Sequence, residues 1–198
     1  MLSDIIKNWN TYCVERNFVG IGSTRKVHRI ADYVVKVHLH PIGYKQSQKE
    51  LEIYKAMVQK GLTKFFAETY YVDEYISVQK YYQQLEIIDN QSFEIDMKKD
   101  IPLIPKGYED VLVLLDKDFD CFDLKDSSNY GLNEEGKIVF IDYGMSKSLY
   151  EKQWVPLAEA GVIPQIDYDY CNSCGEKKEL RMYGVHDQDK RCYDCGKE

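Results

Sequence analysis

The sequence contains no apolar run long enough to span a bilayer. Its longest purely aliphatic stretch is Val111 to Leu115, far short of the ~20 residues a membrane helix needs. It also lacks a basic N-terminal region followed by an apolar one. Met1-Leu2-Ser3-Asp4 instead opens an amphipathic segment, so no signal peptide and a cytoplasmic location are expected. Positive charge is in deficit: 26 Lys and Arg against 33 Asp and Glu give a formal charge of −7. That balance disfavours general nucleic-acid binding and a membrane-surface role. Low-complexity tracts are missing, and the only internal repeat is a doubled Cys-x-x-Cys-Gly near the C-terminus. Elsewhere cysteine is scarce: only Cys13 and Cys121 precede residue 171. What remains is 198 residues, 44% apolar and 30% charged. That is enough for one domain, or for a compact domain with a small appendage, and it argues against wholesale disorder.

Periodicity divides the chain. Leu2, Ile5, Ile6, Trp9, Tyr12 and Cys13 recur at helical spacing, predicting a helix over 3–16 with Ser3 as its cap. A glycine-punctuated turn, Phe18 to Ser23, leads into two β-type runs, Lys26 to Ile30 and Tyr33 to Leu39, joined at Ala31-Asp32. Pro41 and Gly43 break the chain before a helix over Gln46 to Lys60, which Gly61 ends. Phe66 to Val72 and Tyr75 to Tyr82 read as an antiparallel pair. Residues 87–106 read as a polar loop or poorly packed insert, and Tyr108 to Leu115 as a short helix. Lys137 to Ile141 reads as a buried strand, and one helix is expected near Glu151 to Ala160. Cys13 falls on the apolar face of its helix, Cys121 reads as space filling, and His38 and His40 as a solvated strand end.

Several residues in these elements carry chemistry. Gly20 and Gly22 lack a Cβ, so backbone N–H groups in that turn can approach a phosphate. Lys36 lies on a strand and needs an anionic partner. On the following helix Ser47, Glu50, Leu51, Tyr54, Met57 and Val58 share the inward face, while Glu52 falls on the polar side with Lys49, Lys55 and Gln59. An inward carboxylate needs a partner, so Glu50 pairs with Lys36. Asp142 ends a buried strand before Tyr143-Gly144, a place suited to Mg²⁺, which prefers oxygen ligands.

Taken in chain order, these residues resemble the protein kinase signature set: glycine-rich loop, strand lysine, helix glutamate, catalytic loop, and the Asp of Asp-Phe-Gly. The resemblance covers roughly Phe18 to Ser148 and looks closest to the very small kinase-like proteins of bacteriophages. It implies an ATP site lined by Gly20, Gly22, Ser23, Val27, Lys36 and Glu50, with Asn129 and Asp142 holding Mg²⁺. Asp123-Leu124-Lys125 resembles the Asp-Leu-Lys of a catalytic loop. Asp123 would orient or deprotonate the acceptor hydroxyl, and Lys125 would steady the γ-phosphate; Asp126 is a second candidate for the base. If the origin is a phage, the location would be the host cytoplasm and a host protein a possible substrate or docking partner.

The sequence departs from that pattern in several places. Arg25 stands at the third glycine position, Tyr143 replaces the phenylalanine, and Cys121-Phe122 replaces His-Arg. Asp123 to Asn129 spans six positions rather than the usual five. Only 26 residues separate Gly144 from Cys171, too few for a full substrate-binding lobe or an activation segment ending in Ala-Pro-Glu. The resemblance therefore carries nucleotide binding further than phosphoryl transfer.

At the C-terminus, Cys171-Asn-Ser-Cys174-Gly175 and Cys192-Tyr-Asp-Cys195-Gly196 are separated by 17 residues between Cys174 and Cys192. That is the spacing of a zinc ribbon, with four thiolates closing a tetrahedral structural Zn²⁺ site. His186 is a spare ligand, and a redox pair is the alternative. Residues 171–198 hold six basic and six acidic side chains, so a bound metal with four thiolates makes the segment net negative. Protein docking, or capping of the reduced lobe, suits it better than DNA binding.

The expected architecture is α+β: a kinase-like fold over 1–150 with a reduced C-terminal lobe, a connector over 151–170, and a zinc ribbon over 171–198. The leading expected function is ATP- and Mg²⁺-dependent phosphoryl transfer to a protein hydroxyl. The alternative is a pseudokinase, a nucleotide-binding or docking module without catalysis.

Overall fold

A computed structural model describes residues 1–85, 88–89 and 91–197. It is a mixed α+β structure. Helices α1 (Leu2–Lys7) and α2 (Trp9–Tyr12) precede strands β1 (Phe18–Ile21), β2 (Arg25–Ile30) and β3 (Tyr33–His38). Helix α3 (Pro41–Lys60) is followed by β4 (Thr69–Val72), β5 (Ile76–Lys80) and β6 (Gln83–Gln84). Helix α4 (Tyr108–Phe119) leads to β7 (Tyr130–Leu132) and β8 (Ile138–Phe140). Short helices α5 (Lys147–Leu149) and α6 (Val155–Glu159) then connect to the hairpin of β9 (Gln165–Tyr170) and β10 (Lys177–Met182).

The principal sheet is antiparallel, in the order β1-β2-β3-β5-β4. Its register puts Val27 opposite Lys36 and Lys36 opposite Ser77, with Arg25 opposite His38 and Val34 opposite Gln79. Directly paired residues share a sheet face, so Arg25, Val27, Lys36, Ser77 and Gln79 lie on one side. The other side presents Ile30, Val35, Ile76 and Val78, which pack with Ile5 of α1 and with partly buried Trp9 and Tyr12 of α2. One sheet face is thus an ordinary apolar layer and the other is polar, with α3 against it.

A second core joins this sheet to the segment after it. Phe66 stacks on Phe140 with ring centroids 5.3 Å apart, and Ala67 N donates to Phe140 O at 2.8 Å. Tyr108, Leu115, Tyr130 and Ile138 complete the centre, where the buried Tyr108 and Tyr130 hydroxyls hydrogen-bond one another.

Several expected elements change in extent, each for a local reason. The N-terminal helix breaks at Asn8, whose φ of −119° and ψ of 29° leave the helical region; its side chain instead donates to Asp4 Oδ1 at 2.8 Å. Helix α3 begins at Pro41 because His40 Nδ1 accepts from Ile42 N at 3.2 Å and proline tolerates the first helical position. The inward face of α3 carries Ile42, Gln46, Ser47, Glu50, Ile53 and Met57, whereas Val58 is exposed. His38 is not solvated: it is half-buried, and its Nε2 lies 2.9 Å from Ser47 Oγ. Helix α4 runs a turn further than expected. In the 87–106 stretch, Ile87 and Asn90 lie outside the described residues, but Ile95 is fully in the core. Its N–H donates to Lys125 O at 2.8 Å, and Ser127 N donates to Phe93 O at 2.8 Å, so this segment braces the loop that carries Asp123 and Asp126. Strand β9 begins at Gln165, six residues before the first cysteine of the tail. Among the described residues, no helix is long and apolar enough to cross a membrane.

Candidate functional site

Glu50 is fully buried and is the hub of the polar face. Its Oε1 accepts from Lys36 Nζ at 3.0 Å and from Arg25 Nη1 at 2.9 Å. Its Oε2 accepts from Lys36 Nζ at 3.1 Å and from Gln79 Nε2 at 2.9 Å. Lys36 donates as well to Ile141 O at 2.7 Å, and Arg25 Nη2 to Asp142 Oδ1 at 2.5 Å. Two cations and two carboxylates therefore neutralise one another in one buried cluster. Their sources are β2, β3, α3 and the residue two past the end of β8, which are remote in sequence.

The charges act on one another as burial demands. Burial pulls the Lys36 ammonium below its ordinary value, against the opposing pull of Glu50. For Arg25 burial acts the same way, but Asp142 and Glu50 outweigh it and hold the guanidinium above its usual range. Burial would raise Asp142, yet Arg25 and Lys36 hold its carboxyl below the ordinary carboxylate value. Burial lowers His38 to about 4, so it is neutral beside Ser47. The cluster opens to solvent only at Asp142, whose side chain is 39% exposed.

Three glycine positions separate protein-imposed need from free space. At Gly144 a Cβ would sit 2.0 Å from Gln46 O, so the chain after Asp142 can lie against α3 only without a side chain. At Gly20 a Cβ would meet nothing within 4 Å, and at Gly22 only Arg25 O at 4.0 Å. Neither has a left-handed φ. The fold itself does not require glycine at 20 or 22. Ser23 and Val27, on the same hairpin, are partly buried.

The loop after α4 meets the cluster through Asn129, whose carbonyl accepts from Ile141 N at 2.8 Å and Asp142 N at 3.3 Å. The Asn129 side chain donates from Nδ2 to Asp123 O at 2.6 Å. Asp123 has a left-handed φ of 56° and an exposed side chain. Partial desolvation, then the charges of Asp126, Asp142 and Glu94, raise its carboxyl above the ordinary value. Asp126 is engaged in the loop itself: Oδ1 accepts from Ser128 N at 2.7 Å and Oδ2 from Ser92 Oγ at 2.9 Å. Lys125 is exposed and lies 3.6 Å from Glu94. Beside Asp123 is a cavity of about 340 Å³ bordered by Leu112, Asp116, Phe122, Lys125 and Lys147.

The sequence-predicted residues Lys36, Glu50, Asn129 and Asp142 thus come together, with Asp123 alongside. Arg25, Gln79 and Ser47 complete the cluster and were not predicted. For Arg25 and Gln79 the missing signal is strand register, which places both on the Lys36 face.

At the other end, the Sγ atoms of Cys171, Cys174, Cys192 and Cys195 all lie within 4.8 Å of one another, and these residues could hold a metal ion. A tetrahedral Zn–S₄ centre has sulfurs about 3.8 Å apart, given Zn–S near 2.3 Å, so the four thiols fit with a small contraction. Cys171 Sγ accepts from the N–H groups of Cys174 at 3.5 Å, Ser173 at 3.4 Å and Cys192 at 3.3 Å. These donors, Cys174 foremost, draw its thiol down to about 6, which favours the ligating thiolate. Gly175 and Gly196 close the two knuckles with φ of 75° and 94°. His186 is not part of the group.

No protein-family model matches the chain, and no curated protein sequence matches it.

Proposed function

We propose that the chain is a minimal kinase-like protein: it binds Mg·ATP at the Glu50 cluster and transfers the γ-phosphoryl group to a protein hydroxyl. The observation that carries this reading is the buried pairing of Lys36 with Glu50 beside the half-open carboxylate of Asp142. Buried, mutually dependent charges with one face to solvent are costly to maintain for stability alone. Bound Mg·ATP would supply the transferable phosphoryl group, its ion resting on the hard oxygens of Asp142 and Asn129. Lys36, held by Glu50 and the Ile141 carbonyl, offers a fixed positive charge to phosphate. At Gly20 the glycine turn has open space beside its backbone. Asp123, with its raised carboxyl and its place between Asn129 and the 340 Å³ cavity, is the group to receive the acceptor's proton. Asp126 caps its own loop and is not spare for this work. In the four-cysteine cluster the metal would be Zn²⁺, in a structural role.

One observation favours nucleotide binding without transfer: Arg25 already occupies one oxygen of Asp142. Incubation with γ-labelled ATP, Mg²⁺ and candidate acceptor proteins separates the two readings. Transfer should fall by several orders of magnitude in Asp123→Asn, with ATP affinity nearly intact, and much less in Asp126→Asn. Binding of ATP without label transfer to any acceptor, including the chain itself, supports the second reading. The reverse ranking of the two variants would move the base to Asp126.

A further inference from the structure

The cysteine hairpin is docked on the glycine turn. Tyr193, between two of the cysteines, stacks on Phe18 of β1 with ring centroids 4.3 Å apart, and Lys26 Nζ lies 5.1 Å over the Tyr193 ring. From β10, Arg181 Nη1 donates to the carbonyl of Gly22. Two residues earlier on the same strand face, Glu179 interacts with the Ser92 backbone and with the charge of Asp126. Strand β10 therefore reaches both the glycine turn and Ser92.

Arg181 is poorly compensated where it sits. It is 6% exposed. Its Nη2 donates to the Tyr183 hydroxyl at 3.2 Å, while its buried Nε has no partner. Among the described residues no carboxylate forms an ion pair with it. Arg25 flanks the same turn, its carbonyl accepting from Gly22 N at 2.9 Å, but Arg25 has both Glu50 and Asp142. A buried guanidinium with neutral partners and a spare donor is an anion site in want of its anion. The adjacent glycines 20 and 22, which the fold does not require, leave space for one.

We propose that Arg181 is a phosphate ligand of the nucleotide, delivered to the glycine turn by the cysteine hairpin, so that the site is complete only when that hairpin is ordered by its metal. This rests on the nucleotide reading above. Arg25 and Lys36 are neutralised by Glu50 and Asp142, and Arg181 adds the positive charge that a polyphosphate needs.

The test uses the full chain and binding alone. Affinities for ATP, ADP and adenosine are measured by calorimetry for wild type, Arg181→Met, Arg181→Lys and Lys36→Ala, with metal content determined on each preparation. Arg181→Met should weaken ATP and ADP by roughly 10–100-fold, the usual worth of one charged hydrogen bond. Adenosine affinity and metal content should not change, and Arg181→Lys should lose less. Should the methionine variant lose its metal, Arg181→Gln retains a donor for the Gly22 carbonyl without the charge and serves in its place. If Lys36→Ala weakens ATP while the ratio of ATP to adenosine affinity is unmoved by removing the Arg181 charge, the inference is overturned and the nucleotide reading stands. If wild type binds neither ATP nor ADP, both are overturned.

Discussion

Around Glu50, two cations and two carboxylates lie inside a domain whose core includes Phe66, Tyr108, Tyr130 and Phe140. Around Cys171, four thiols lie in a hairpin whose buried apolar companions are Leu180 and Met182. Both regions crowd groups that would rather be apart. In the first, opposite charges offset one another and a large apolar core supplies the free energy to bury them. In the second the apolar core is small, and a metal ion, which the four cysteines could hold, would supply that free energy. The first site is therefore held together by the protein's own opposite charges, while the second would be held by an ion bound to its four thiols.

The sharpest way to break this contrast is to remove the metal. Chelation, or Cys171→Ser, should unfold the β9–β10 hairpin, since structural Zn²⁺ contributes on the order of 10 kcal/mol to such segments. Hydrogen exchange should show lost protection in β9 and β10 and retained protection in β2, β3 and β5. Equal loss in both regions would mean that the main sheet leans on the hairpin.

Next in size is Glu50→Gln. It leaves Lys36 and Arg25 buried with only Asp142 between them, a change worth about 3–5 kcal/mol. The melting temperature should fall by roughly 10 °C, with no change in metal content. Gly144→Ala is smaller. Its Cβ would press on Gln46 O, and displacing α3 should cost about 1–3 kcal/mol, read as a lower urea midpoint.

The smallest effect is on pH. His38 has a folded value lowered to about 4 against an ordinary 6.5, so the unfolded chain binds its proton first as pH falls. Its contribution is intact above pH 6.5 and is lost between there and about 4. Allowing for partial screening, stability should fall by about 1–2 kcal/mol between pH 7 and 5. His38→Gln should flatten that part of the profile, and the substitution should leave hydrogen exchange in β9 and β10 unchanged.

How much of this was legible in the sequence differs between the two regions for the same physical reason. The cysteine cluster is local: two Cys-x-x-Cys-Gly knuckles encode their own turns, but strands β9 and β10 were not expected, although Ile166, Tyr168 and Tyr170 alternate with polar residues at strand spacing. The Glu50 pairing was legible through helix periodicity, although Val58 was assigned inward and proved exposed. Arg25 was visible only as a departure from a glycine pattern. Its role depends on the register between β2 and β3 and on a contact with Asp142, 117 positions away, which no local signal encodes. The engagement of Asp126 by Ser92 is equally non-local and no local signal encodes it, whereas the Asp-Leu-Lys context that puts Asp123 forward is read directly from the sequence.

The central claim is that the Glu50 cluster is a nucleotide site, and the most direct measurement is titration of Mg·ATP into wild type and Lys36→Ala, followed by calorimetry and thermal shift. Wild type should bind and be stabilised, and Lys36→Ala should be stabilised far less at the same ATP concentration. Equal stabilisation of the two proteins, or no binding to wild type, would contradict it.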